Sequence, residues 1–149
     1  MSINDDAGYE VEKPEAELRR MLARWLQLQY PNVIYRFDLA ADLKLTMGQA
    51  RKHKELHPKR GYPDLFITEP RGKYHGMYVE LKAEGNSPYK RNGELKKSEH
   101  LQEQSDFIHS LNQRDYFAVF ATGFNEATTL ISQYLKGGFN GRRDSESRS

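Results

Sequence analysis

The chain has 149 residues, enough for one domain with a core of its own. Apolar residues make up 37% and charged residues 30%, with nine Tyr, seven Phe and one Trp, which is too aromatic for a disordered chain and too charged for a membrane-embedded one. Net charge is only +2, and the absence of Cys excludes disulfides and thiolate metal sites.

Residues 1–13 form an acidic, unpatterned head, expected to be flexible. Six acids precede Leu18, the reverse of a basic secretory leader, so a cytoplasmic protein is expected. Pro14 then suits the first turn of a helix. Leu18, Met21, Leu22, Trp25 and Leu28 or Gln29 recur at helical spacing until Pro31. VIYRF (33–37) reads as a strand. Thr46-x-x-Gln49 is a capping-box pattern opening a short basic helix that Pro58 ends, and its thin apolar stripe puts it on the surface. DLFIT (64–68) and MYVELK (77–82) are strand-like and joined by the turn-rich PRGKYHG. A Gly-, Asn- and Lys-rich loop fills 83–97. Ser98 caps a helix with Leu101, Phe107 or Ile108, and Leu111 on its apolar face. YFAVFA (116–121), the longest apolar run, is far short of the ~20 residues that span a bilayer, and its lack of alternation predicts a strand buried on both faces. A last helix carries Ala127, Leu130, Ile131, Tyr134 and Leu135 on one face, and a flexible tail is expected over 137–149. The order α-β-(α)-β-β-α-β-α predicts a single α/β domain over 14–136, a mixed sheet flanked by helices.

The basic residues are uneven. Between residues 44 and 60 six Lys/Arg (Lys44, Arg51, Lys52, Lys54, Lys59, Arg60) face one acid, Glu55. A second basic stretch runs from 71 to 97 and includes Lys90 and Arg91. Such stretches suit the phosphates of a nucleic acid and equally suit an ordinary solvated surface.

The chemistry concentrates in GYPDLFI (61–67) and YVELK (78–82). A strand alternates its side chains, so Glu80 and Lys82 share one face and Leu81 takes the other. A hairpin centred on Gly72 sets residue 64 opposite residue 80. Cross-strand neighbours lie about 5 Å apart, so Asp64 and Glu80 could hold one divalent cation. The plain alternative is a solvated Glu/Lys hairpin. Gln104 falls within the apolar stripe of its helix, and Glu15 begins the inward face of the first; polar groups so placed need partners. His53 and His57 stand at i, i+4, but the order of residues between them is not that of a metalloprotease and no third zinc ligand is apparent.

Taken in order, RWLQLQYP, RGYPDLFI, YHGMYVELK, the H-x-x-x-Q of 100–104 and GFNEATTLISQYL resemble the PD-(D/E)XK nuclease superfamily, and within it the VRR-NUC branch known as stand-alone domains of phage and bacterial proteins. The resemblance runs from about Pro14 to Leu135 and implies a restriction-endonuclease-like fold. It implies Asp64, Glu80 and the Leu81 main-chain carbonyl as ligands of Mg²⁺ or Mn²⁺. It makes Lys82 the residue that orients the attacking water, with Gln104 and Glu15 as supporting catalytic residues. Two departures stand out: the Gln often found soon after the first-helix acid is replaced by Arg19, and PKRGYPD (58–64) occupies the place of the V-R-R-type stretch. The implied activity is metal-dependent DNA endonuclease, selective for branched DNA in the manner of a Holliday-junction resolvase, in a homodimer with no membrane association. Lys44, Arg51, Lys52, Lys54, Lys59, Arg60, Lys90 and Arg91 would hold the DNA backbone. The alternatives are a nuclease without branch preference and a non-catalytic nucleic-acid-binding module of the same fold.

Overall fold

Pro14 supplies the pre-set φ at the N-terminus of α1 (Pro14–Gln29), whose C-terminal turn ends on Tyr30. In the computed structural model, which describes residues 13–38 and 43–139, α1 is followed by β1 (Tyr35–Phe37), α2 (Met47–Leu56), β2 (Leu65–Ile67), β3 (Met77–Lys82), α3 (Glu99–Asn112), β4 (Phe117–Thr122) and α4 (Gly123–Leu135). The element order is the one expected. The capping box of α2 is complete: Gln49 N donates to Thr46 Oγ1 at 3.1 Å, and Thr46 N donates to Gln49 Oε1 at 2.9 Å. Ser98 Oγ likewise caps α3 by accepting from Leu101 N at 3.2 Å.

The sheet is mixed, in the order β1-β2-β3-β4. The first two pairings are antiparallel and β3/β4 is parallel. Leu65 lies opposite Val79, Phe66 opposite Tyr78 and Ile67 opposite Met77, the register expected of a hairpin centred on Gly72. The parallel pair needs a crossover, and the segment bearing α3 provides it.

Alternation along β3 divides the core. Met77, Val79 and Leu81 join Leu65 and Ile67 against Leu22 and Leu26 of α1 and Ile131 and Tyr134 of α4. Tyr78, on the other face, packs with Ile108, Leu111 and Ala118. Glu80 and Lys82 share the parity of Tyr78 and so face α3.

Three expectations are corrected. The apolar run at 116–121 is not buried on both faces: β4 is an edge strand in which Ala118 and Ala121 are buried and the larger residues only partly so. The strand covered along its whole length is β3, including its charged residues. On α1 the inward face is Leu18, Arg19, Leu22 and Leu26, whereas Met21 and Leu28 are exposed. Of the tail expected to be loose, the first residues pack: Phe139 stacks on Phe117 with centroids 4.5 Å apart. Residues 1–12 and 140–149 lie outside the described residues. No described helix is long and apolar enough to cross a membrane.

Candidate active site

Asp64 sits one residue before β2, held by the main chain on both sides. Asp38 N donates to its carbonyl oxygen at 2.9 Å, and its own Oδ2 accepts from Leu81 N at 3.0 Å. In an extended strand a residue's N–H and C=O point to the same neighbour, so the Leu81 carbonyl faces the edge where Asp64 lies. The continuing register brings Glu80 opposite Asp64 on that edge.

The solvated-hairpin alternative fails on burial. Asp64 is 8% exposed, Glu80 5%, Lys82 7% and Gln104 5%. Four polar side chains this deep require mutual satisfaction. Lys82 Nζ donates to Gln104 Oε1 at 2.8 Å, and Gln104 Nε2 donates to Glu80 Oε2 at 2.8 Å. Lysine can only donate, which fixes which end of the amide faces it. The same Nε2 lies 3.2 Å from His100 Nε2, one turn earlier on α3. Lys82 Nζ also stands 3.9 Å from Glu80 Oε2.

Among the described residues Glu80 Oε1 is buried without a geometrically settled hydrogen-bond partner, and a proton on Glu80 would be shared with the facing Asp64 carboxyl. Burial and then the charge of Asp64 push the Glu80 carboxyl up to about 9. Asp64 is raised too, chiefly by burial, against the Leu81 amide and Arg19, which favour its charged form. Both carboxyls feel Glu15, whose charge opposes their ionisation and which therefore stands near the pair.

A divalent cation fits this chemistry: two facing carboxylates, a main-chain carbonyl on the same edge, and an orphaned buried carboxylate oxygen. Among the described residues no three His, Asp or Glu side chains gather as a metal cage, so other oxygens would have to complete the coordination. That is the usual condition of Mg²⁺, which keeps much of its water.

The residue the sequence reading left without a role is Arg19. It is buried on α1 and its Nη1 lies 3.2 Å from Asp64 Oδ1. Two signals in the sequence point to it: its place on the helix, four residues after Glu15 and three before Leu22, and its standing where the resembled family often has a Gln. Of the expected nucleic-acid contacts, Lys54, Lys59 and Arg60 line a cavity that reaches Asp64. Lys44, Arg51, Lys52, Lys90 and Arg91 are exposed and lie outside that lining. His53 and His57 stack on one another at 4.5 Å.

No protein-family model and no curated protein matches the chain. A solved structure described as a VRR_NUC domain protein is similar to it, with a TM-score of 0.62 and 27% sequence identity over 86% of this chain and 93% of that one. The likeness covers most of this chain, which accordingly has a VRR-NUC nuclease-like fold.

Proposed function

We propose that the chain is a metal-dependent endonuclease that hydrolyses phosphodiester bonds in DNA, with preference for branched substrates. The observation that carries this reading is the buried Asp64–Glu80 pair beside Lys82, with Glu80 Oε1 unsatisfied among the described residues. Asp64, Glu80 and the Leu81 carbonyl would hold Mg²⁺ or Mn²⁺. The ion, when bound, would supply Lewis acidity at the scissile phosphate and lower the pKa of water.

The chain's own residues do the remaining work. Lys82 places an ammonium beside the carboxylates, where it can orient an attacking water and stabilise the charge that gathers on the phosphorus oxygens. Gln104 holds Lys82 and Glu80 in one hydrogen-bonded unit, so neither side chain swings when substrate arrives. In-line attack by water would form the new P–O bond and expel the 3′-oxygen, which takes a proton, leaving a 5′-phosphate and a 3′-hydroxyl. Lys54, Lys59 and Arg60 would attract the backbone, supplying affinity rather than sequence choice. Branch preference and a homodimer with two such sites rest on the resemblance to stand-alone VRR-NUC proteins.

One observation favours a second reading. Arg19 already sets a cation against Asp64, which a nucleic-acid-binding module without catalysis could use to keep its buried acids tolerable. Labelled four-way junction, flap and linear duplex DNA, each in Mg²⁺, Mn²⁺ and EDTA, separate the readings. Metal-dependent nicks near the junction that vanish in Lys82→Ala support a resolvase-like enzyme. Equal cutting of all three substrates keeps the nuclease and removes the branch preference. Tight binding without cleavage in either metal selects the binding module.

A further inference from the structure

A cavity of about 620 Å³ opens directly beside Asp64. Part of its lining is aromatic. Phe66 stacks on Tyr78 at 4.3 Å with the rings 17° apart, and Tyr62 meets Tyr78 edge-on at 5.6 Å. Tyr62 is the ring that solvent reaches, at 47% exposed, while Tyr78 is buried behind it. Another part is basic: Arg36 from the β1 strand, Lys54 from α2, and Lys59 and Arg60 from the segment between α2 and β2. These four cations outnumber Asp38 and Asp64, the two acids of the lining. His53, also in the lining, presents an Nε2 that is buried without a hydrogen-bond partner among the described residues.

Packing does not explain this assembly. Helix α2 buries none of its residues, so its basic composition serves no core. A free phosphate would use the cations and leave the rings idle; an apolar ligand would do the reverse. A nucleotide carries both halves, a flat base for an aromatic face and a phosphate for a basic rim. Within a duplex, however, each base has its faces covered by neighbours and its edge by its partner. It can enter a concavity only when unpaired or extruded.

We propose that the cavity beside Asp64 binds one unpaired nucleotide next to the scissile phosphate, its base against Tyr62, its phosphate against Arg36, Lys54, Lys59 and Arg60, and one polar atom on His53 Nε2. This rests on the hydrolytic reading of the Asp64 site and gives that reading its substrate class: nucleic acid with an unpaired nucleotide at the point of cleavage.

The test compares a DNA duplex carrying a single bulged 2-aminopurine with the fully paired duplex of the same sequence, both bound to the full chain in EDTA and in Ca²⁺. The bulged duplex is expected to bind about tenfold more tightly, the size of one stacked base, with its 2-aminopurine fluorescence quenched on binding. Tyr62→Ala should abolish both the preference and the quenching, and Tyr62→Phe, which keeps the ring, should retain them. His53→Ala, on a helix with no buried residues, should fold normally and reduce the preference several-fold. Equal affinity for the two duplexes, or none, with unchanged fluorescence overturns the proposal. Cleavage in Mg²⁺ is scored separately, so that result leaves the nuclease reading intact. Tight, quenched binding with no cleavage in any metal keeps the nucleotide pocket and removes the hydrolytic reading instead.

Discussion

Arg19 Nη1 lies 3.2 Å from Asp64 Oδ1 with both side chains buried, so a guanidinium from the first helix neutralises a carboxylate at the mouth of the β2–β3 hairpin. Two acids facing each other at this depth would otherwise repel, and Glu15 adds to that repulsion. Arg19→Met keeps most of the aliphatic volume and removes the charge. It is expected to lower stability in EDTA by about 3 kcal/mol, the usual size of breaking a buried ion pair. Under the proposed reading, Mg²⁺ should restore part of that loss and stabilise the variant more than the wild type. Urea unfolding with and without Mg²⁺ measures both; a variant as stable as wild type in EDTA would show that Asp64 does not depend on this partner.

Gln104 joins Lys82 to Glu80 through the two ends of one amide. Gln104→Ala removes both bonds and leaves Lys82 without the acceptor that fixes its ammonium. The expected result is a loss of about 10- to 100-fold in metal-dependent turnover, the range found when groups supporting metal ligands are removed. Affinity for DNA in EDTA should change little, because Gln104 faces the carboxylates and not the basic cavity. Single-turnover cleavage beside a binding titration separates the two. If cleavage were unchanged, Gln104 would be a packing residue only.

The site was legible in the sequence where local periodicity controls it. Strand alternation and the turn at Gly72 are enough to set Asp64 against Glu80 and to turn Lys82 to the same side, and the observed register agrees. Helical spacing is enough to turn Gln104 inward. The contact of Arg19 with Asp64 is not legible: a helical phase that includes Met21 and Leu28, both exposed, rotates the expected inward face away from Arg19. An apolar run such as FAVFA cannot reveal whether its strand lies at the centre or the edge of a sheet. That is decided by topology, and here it is β3 that is enclosed. The cavity is a product of tertiary assembly: Arg36, Lys54 and Tyr62 come from three separate segments, and no short-range pattern joins them.

Gly61 controls how the chain enters the site. Its φ is +90°, and a Cβ there would stand 2.6 Å from the carbonyl oxygen of Glu103, a main-chain atom of α3. Gly61→Ala therefore adds a backbone clash to the left-handed penalty of about 1–2 kcal/mol. At Gly85, φ is +84° but nothing lies within 4 Å, so Gly85→Ala meets the conformational penalty alone. The first substitution should destabilise by at least about 2 kcal/mol and displace the segment carrying Tyr62 and Asp64, while the second costs about 1 kcal/mol. Chemical denaturation of both variants tests the contrast, and equal losses would contradict the close approach of Gly61 to α3.

The Glu80 carboxyl makes stability depend on pH with a definite sign. Burial, then the facing Asp64, raise it from an ordinary 4.5 to about 9. Between those values the folded protein retains a proton that the unfolded chain has released. Stability from this group is therefore fully present below about pH 4.5 and is lost as pH rises through about 9. In EDTA the urea midpoint of the wild type should fall steadily from pH 5 to pH 9. Glu80→Gln, which keeps the shape and cannot ionise, should flatten that slope. Under the proposed reading a cation binds the deprotonated pair, so Mg²⁺ should raise the wild-type midpoint more at pH 9 than at pH 6 and do little for Glu80→Gln at either. A wild-type slope no steeper than that of Glu80→Gln would mean that Glu80 is already ionised in the folded protein, with its charge met by Lys82 at 3.9 Å rather than by a proton.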